Sequence, residues 1–211
     1  MNNQDKKWGD FKLFATVFAA IFGLVYALQN RNKPKQELQK SGSQNMQDIT
    51  AMLTEFARCF SNIQPFLNFE DVFKHLKEFD ESKNAVKAGS YLDDQIAESE
   101  MMWKRIHDID LMYSGLSLNI NTKEPEDLQK TKEQLSKFWQ LPGMLKNIFV
   151  VRGKILRFIK KMVLAGKQPT AKTAKDAKEL TDLMHEFNGT KNLAQKEVEG
   201  FDKMMKSLNR Y

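Results

Sequence analysis

A single cysteine, Cys59, stands in a chain of 211 residues, so no intramolecular disulfide framework exists and neither a cysteine zinc site nor a thiol redox pair can be built. Histidine is almost as scarce. His75, His107 and His185 lie in separate segments, and none of their spacings puts two metal ligands on one helical face. A phosphate loop is also missing: Ala165-Gly166-Lys167-Gln168 has Lys161 where the loop needs its first glycine and Gln168 where it needs Ser or Thr. Strand signals are confined to the alternation Leu116, Leu118, Ile120, which lacks partner strands and is read as loop. Asp108 and Asp110 are the nearest carboxylate pair, but helical geometry turns successive residues 100° apart. Cys59, between Phe56 and Phe60, reads as an inert buried thiol. With no metal ligand set, no cofactor motif and no nucleophile beside a base, the expectation is a protein that is not an enzyme and takes no cofactor, and no small-molecule substrate is identified.

What is present is a composition of 41% hydrophobic and 28% charged residues, that of a folded globular chain. Lys and Arg outnumber Asp and Glu by 33 to 27, giving +6. That excess permits an anionic partner but falls short of a dedicated nucleic-acid binder, and no zinc finger, aromatic sheet motif or recognition-helix pair accompanies it.

The sharpest signal is at the start. Residues 13–28, LFATVFAAIFGLVYAL, form sixteen residues without a charge, and Phe11 with a snorkelling Lys12 extends the run to eighteen. Eighteen helical residues reach roughly 27 Å, close to the ~30 Å hydrocarbon core of a bilayer. Trp8 and Tyr26 stand near opposite ends as interfacial aromatics, with Lys6, Lys7, Arg31, Lys33 and Lys35 beyond them. Ala15, Ala19, Gly23 and Ala27 recur every four residues, a small-residue stripe on which a second transmembrane helix can pack closely. Residues 1–29 are therefore read as a single-pass membrane anchor. A signal peptide cleaved near Ala27 is the principal competitor, since Val25-Tyr26-Ala27 resembles a small-residue cleavage site; Asp5 and Asp10 among the leading lysines count against it. A buried helix of a soluble bundle is the remaining reading. The basic residues after the span slightly outnumber those before it, which favours the carboxyl-terminal bulk on the matrix or cytoplasmic side.

Residues 30–45 are polar, contain Pro34 and Ser41-Gly42-Ser43, and read as a juxtamembrane linker; residues 46–211 read as a helical bundle domain. Met46, Ile49, Met52, Leu53, Phe56, Phe60 and Ile63 fall on one helical face, ended by Pro65. Asn68 caps a second helix. After a loop at 83–89, a third runs from Tyr91 to Tyr113, burying Leu92, Ile96, Trp103 and Ile106, and Gly115 stops it. Pro125 opens a fourth that carries Leu128, Leu135, Phe138 and Trp139 and stops before Pro142. Residues 144–165 form the next. Ala171–Phe187 and Leu193–Leu208 read as a helical hairpin joined at Asn188-Gly189-Thr190, with Gly189 as the left-handed stop and Thr190 as the cap. The fold class is thus all-α, about seven helices after the anchor.

Between Met144 and Lys167 lie seven basic residues and no acidic one, so this segment accounts for the whole positive excess. Ile148, Val151, Ile155, Phe158, Ile159 and Met162 take one side of the helix while the charges spread over the other. Lys146, Arg152, Lys154, Arg157, Lys160 and Lys161 are the candidate contacts for anionic lipid headgroups or an acidic partner. The competing reading is internal. Residues 70–110 hold eleven acidic and six basic residues and can face this helix within the bundle. Taken together, the sequence reads as a structural, assembly or accessory subunit of a membrane-bound complex, with the mitochondrial inner membrane slightly favoured over a bacterial inner membrane. Its rivals are an exported helical binding protein released by signal cleavage, in the periplasm or secreted, and a helical enzyme without a recognisable motif.

Overall fold

The structure, a computed structural model, describes residues 20, 21, 23, 25, 26, 40–81, 84–116, 126–166 and 174–208. Among these residues it is all-helical, with no strand: α1 (Lys40–Ile63), a 3₁₀ turn (Gln64–Phe66), α2 (Glu70–Glu81), α3 (Ala85–Gly115), α4 (Glu126–Ser136), α5 (Leu141–Leu164) and α6 (Ala174–Leu208). After the anchor segment, six helices stand among the described residues where seven were expected. No helix among the described residues is long and apolar enough to cross a membrane. Most of the predicted anchor, including Trp8, Ala15, Ala19 and Ala27, lies outside the described residues; residues 20, 21, 23, 25 and 26 are helical.

The difference in helix number comes from the carboxyl-terminal segment. The predicted hairpin is one helix of 35 residues, α6, and Asn188 and Gly189 are exposed inside it. A mid-helix glycine costs up to about 1 kcal/mol relative to alanine. Against that, Phe187 is buried before the weak point, in unit 2, and Ala194, Val198, Phe201 and Met205 are buried after it, in unit 1, so packing on both sides holds the helix. Thr190 does not cap a new helix but donates its hydroxyl to the Glu186 carbonyl at 2.8 Å, the back-bond of an interior threonine.

Other boundaries shift for local reasons. α1 begins at Lys40, so the last residues of the predicted linker are helical; Ser41-Gly42-Ser43 lies in the first turn, where poor helix formers are tolerated. The predicted loop at 83–89 is mostly helix, because Asn84 Oδ1 accepts the Lys87 amide at 3.1 Å and starts α3 six residues before Tyr91. α2 is capped as expected, with Asn68 Oδ1 accepting from the Glu70 amide at 3.2 Å and Glu70 and Asp71 in its first turn. α4 stops at Ser136, leaving Phe138 and Trp139 in a turn, and Pro142 is the second residue of α5, where its missing amide costs nothing. α5 ends at Leu164, and Gly166 follows with φ of 67°, the left-handed conformation that terminates a helix.

The chain divides into two compact units, each assembled from segments distant in sequence. Unit 1 comprises Met1–Gln64, Ile106–Gly143 and Ala194–Tyr211; unit 2 comprises Pro65–Arg105 and Met144–Leu193. In unit 1 the core is aromatic: Phe201 lies 5.7 Å from Phe56 and 5.5 Å, edge-on, from Phe138. Gly200 permits this approach, since a Cβ there would come within 3.1 Å of the Phe138 ring. Buried Tyr113 donates its hydroxyl to the Leu135 carbonyl, tying α3 to α4, and burial pushes its phenol above the ordinary tyrosine range. Ala20, Ile21 and Val25 are buried as well, whereas Gly23 and Tyr26 are exposed.

In unit 2, Phe66, Phe69, Leu92, Ile148, Phe149, Ile155, Ile159 and Phe187 are buried, with edge-on ring pairs Phe66–Phe149 at 5.5 Å and Phe69–Phe187 at 5.1 Å. Of the α3 residues expected inside, Leu92 and Ile106 are buried, but Ile96 is half-buried and Trp103 is 36% exposed. Cys59 is buried, in unit 1.

Candidate functional site

The basic helix α5 supplies the first candidate. Of its expected apolar side, Ile148, Val151, Ile155, Ile159 and Met162 are buried and Phe158 is half-buried. Arg152 is the exception among its cations. It is 1% exposed and so cannot meet a lipid headgroup or an outside acidic partner, which corrects its assignment as a surface contact. Helical spacing explains the error, because residue 152 lies at the border between Val151 and Ile155 on the inward arc, and a long side chain there can turn inward as easily as outward.

The buried guanidinium is a hub of unit 2. Its Nη1 donates to the Phe66 carbonyl at 3.2 Å and the Asn68 carbonyl at 2.8 Å, Nε donates to Ser99 Oγ at 3.2 Å, and Nη2 donates to Gln95 Oε1 at 3.2 Å. The Phe69 and Phe66 rings lie 4.7 and 5.4 Å from the guanidinium carbon. Desolvation pulls its pKa down to about 10, opposed by the negative charge of Glu98 and by Tyr91, and it remains a cation at neutral pH. One side chain thereby closes the turn between α1 and α2 onto α3 and α5.

The outer cations of α5 are paired within the same unit. Arg157 Nη2 meets Glu100 at 2.5 Å, Lys160 Nζ meets Asp93 at 2.5 Å, and Lys154 Nζ meets Glu186 at 3.1 Å. Two of the three acidic partners come from α3, inside the 70–110 stretch that carries the acidic excess. Gly153 helps set this up: it is buried, and Arg157 folds back across it, with Nη1 3.1 Å from where a Cβ would stand. Lys161 is exposed and Lys146 half-buried. The candidate contact residues are therefore brought onto one helix but turned largely inward or sideways.

Of the predicted helix-packing stripe, Gly23 is described, and it lies on the exposed side of its segment with Tyr26, which is 69% exposed. Ile21 and Val25, four residues apart, share the buried side.

A second candidate, which no sequence motif announces, is a cleft of about 540 Å³ in unit 1. One wall is the end of α3, with Asp110, Tyr113, Ser114 and Leu116; the other is Trp139, Gln140 and Gly143, around the start of α5. Trp139 is 63% exposed and lies in the turn after α4, where the helix was expected to continue. The last turn of α3 carries no basic residue. The signal that marks the cleft is Trp139 placed one turn before Pro142, legible only once the helix is known to stop at Ser136.

Among the described residues no group of three or more His, Cys, Asp or Glu side chains could hold a metal ion. No family model, no curated protein and no solved structure matches the chain.

Proposed function

We propose that this protein is a non-catalytic structural or assembly subunit of a membrane-bound complex, held there by its N-terminal apolar segment. The observation that carries the reading is the two-sidedness of that segment. Residues 13–28 have no charge, and where they are described Ala20, Ile21 and Val25 are buried while Gly23 and Tyr26 face outward. A helix seated on its own bundle by one face keeps the face that bears Gly23 for a neighbouring transmembrane helix. The same burial argues for retention over cleavage: loss of the chain up to Ala27 would strip Ile21 and Val25 from unit 1 and uncover apolar surface.

The remainder of the molecule is suited to positioning. Arg152 and the α3–α5 ion pairs spend their polar chemistry on holding helices, so the basic helix acts as an internal beam and the lipid-contact role shrinks to exposed Lys161. Other subunits of the complex are the proposed partners. The mitochondrial inner membrane is the favoured setting and the bacterial inner membrane the alternative.

A second reading is favoured by the burial of Ile21, which is 0% exposed: the segment is an internal helix of a soluble bundle. Alkaline carbonate extraction of native membranes, with intact mass of the recovered chain, separates the two. Retention in the pellet with the segment intact supports the subunit reading, and mild-detergent purification then yields its neighbours. Quantitative release of the full-length chain establishes the internal helix, and a mass beginning at Leu28 establishes an exported protein.

A further inference from the structure

We infer that Asn188 is a modification site, converted without an enzyme to aspartate and isoaspartate at a rate set by local opening of α6. Nothing in this chemistry depends on the membrane reading. Asn188-Gly189 is the chain's single Asn-Gly pair, and glycine leaves the main-chain nitrogen after the asparagine uncrowded by any Cβ. Both residues are exposed, and nothing lies within 4 Å of a Cβ built at Gly189, so no neighbouring side chain shields that nitrogen.

The reaction is a ring closure. The Gly189 nitrogen gives its proton to water or hydroxide and attacks Cγ of Asn188; the Cγ–Nδ2 bond breaks, ammonia leaves, and a five-membered succinimide forms. Water then adds to Cγ, restoring the ordinary main chain as aspartate, or to the main-chain carbonyl carbon, leaving the chain to run through Cβ and Cγ as isoaspartate. Water is the only co-reactant.

An intact helix blocks the first step. There the Gly189 amide is held by the carbonyl four residues back, and ψ near −42° keeps the nitrogen away from Cγ. Conversion therefore requires α6 to open, and little resists opening here. Across residues 176–193 Phe187 alone is buried. Directly after it come Asn188, Gly189, Thr190 and Asn192, all poor helix formers, and the Thr190 back-bond to the Glu186 carbonyl weakens the turn further. A stretch with so few buried contacts opens while the remainder stays folded. Isoaspartate adds a carbon to the main chain, so the hydrogen-bond ladder of α6 cannot continue through it and one conversion divides the helix.

The full chain in mild detergent is incubated at neutral pH beside the same chain unfolded in urea. The tryptic peptide 179–191, whose single asparagine is Asn188, is followed by mass spectrometry with fragmentation that separates aspartate from isoaspartate. Both products are expected in the folded chain, forming about tenfold to a hundredfold more slowly than in urea. Thr190→Ala raises helix propensity without touching the reacting atoms, so it slows the folded chain about twofold and leaves the urea rate unchanged. Equal rates in the two conditions show that α6 gives no protection and overturn the inference. So does an absence of product in the folded chain over about a hundred half-lives of the urea sample, or a folded rate that Thr190→Ala does not change.

Discussion

Replacing Arg152 by methionine and, separately, by lysine tests whether this residue acts through the shape of its hydrogen-bonding fork or through its charge. Removing the guanidinium strands different acceptors to different degrees. Ser99 still donates to the Gln95 carbonyl at 2.8 Å, and Gln95 keeps its bond from Nε2 to Glu98 at 3.0 Å. The Phe66 and Asn68 carbonyls lose the donors that Arg152 gave them. Two stranded carbonyls at ~1–3 kcal/mol each, less the desolvation cost no longer borne by the buried cation, leave Arg152→Met destabilised by about 2–4 kcal/mol. Methionine keeps the apolar stem packed against Phe66 and Phe69. Lysine retains the desolvation cost while one ammonium must replace three donor nitrogens, so Arg152→Lys loses about 3–5 kcal/mol. Urea unfolding, followed by Trp103 fluorescence within unit 2 and by far-UV circular dichroism, measures both. The decisive result is the order. Lysine no better than methionine supports the fork geometry; lysine within ~0.5 kcal/mol of wild type, with methionine far below, shows that charge alone suffices and refutes the reasoning.

Three further outcomes follow from the packing. Tyr113 has its phenol pKa raised by burial, so the stability it contributes is fully present below its unfolded value near 10 and is lost as pH rises toward the higher folded value; Tyr113→Phe should cost about 1 kcal/mol at neutral pH and flatten the alkaline decline in urea midpoint. Gly200→Ala places a Cβ 3.1 Å from the Phe138 ring, and overpacking of about 1–3 kcal/mol should lower the thermal midpoint, with Phe138→Leu in the same chain restoring part of it. Reversing the Arg157–Glu100 pair singly should cost under about 1 kcal/mol, and the swapped double variant should recover it, because both side chains are more than half exposed; a loss above ~2 kcal/mol in the double-mutant cycle would show a buried network instead.

The sequence determined the helical class, the burial of Cys59 and the apolar face of every helix that carries a strong 3.6-residue period. Ile49 through Ile63 and Ile148 through Met162 were legible because packing and periodicity agree there. It also announced the acidic and basic segments, since charge counts need no geometry. The continuity of α6 was hidden because Asn188-Gly189-Thr190 carries every local sign of a turn, and only the burial of Phe187 before it and of Ala194, Val198, Phe201 and Met205 after it, against neighbours remote in sequence, outweighs those signs. Which cation of α5 goes inside was equally a tertiary decision. Arg152 and Arg157 carry the same side chain on the same helix, but only the first finds the Phe66 and Asn68 carbonyls within reach, while the second finds Glu100 at the surface. The cleft is tertiary too: Asp110 and Trp139 are 29 positions apart, and a wall made from a helix end and a turn leaves no period to read. Local physics chooses the helices, and burial, summed over contacts between distant segments, chooses which of their side chains are left to meet a partner.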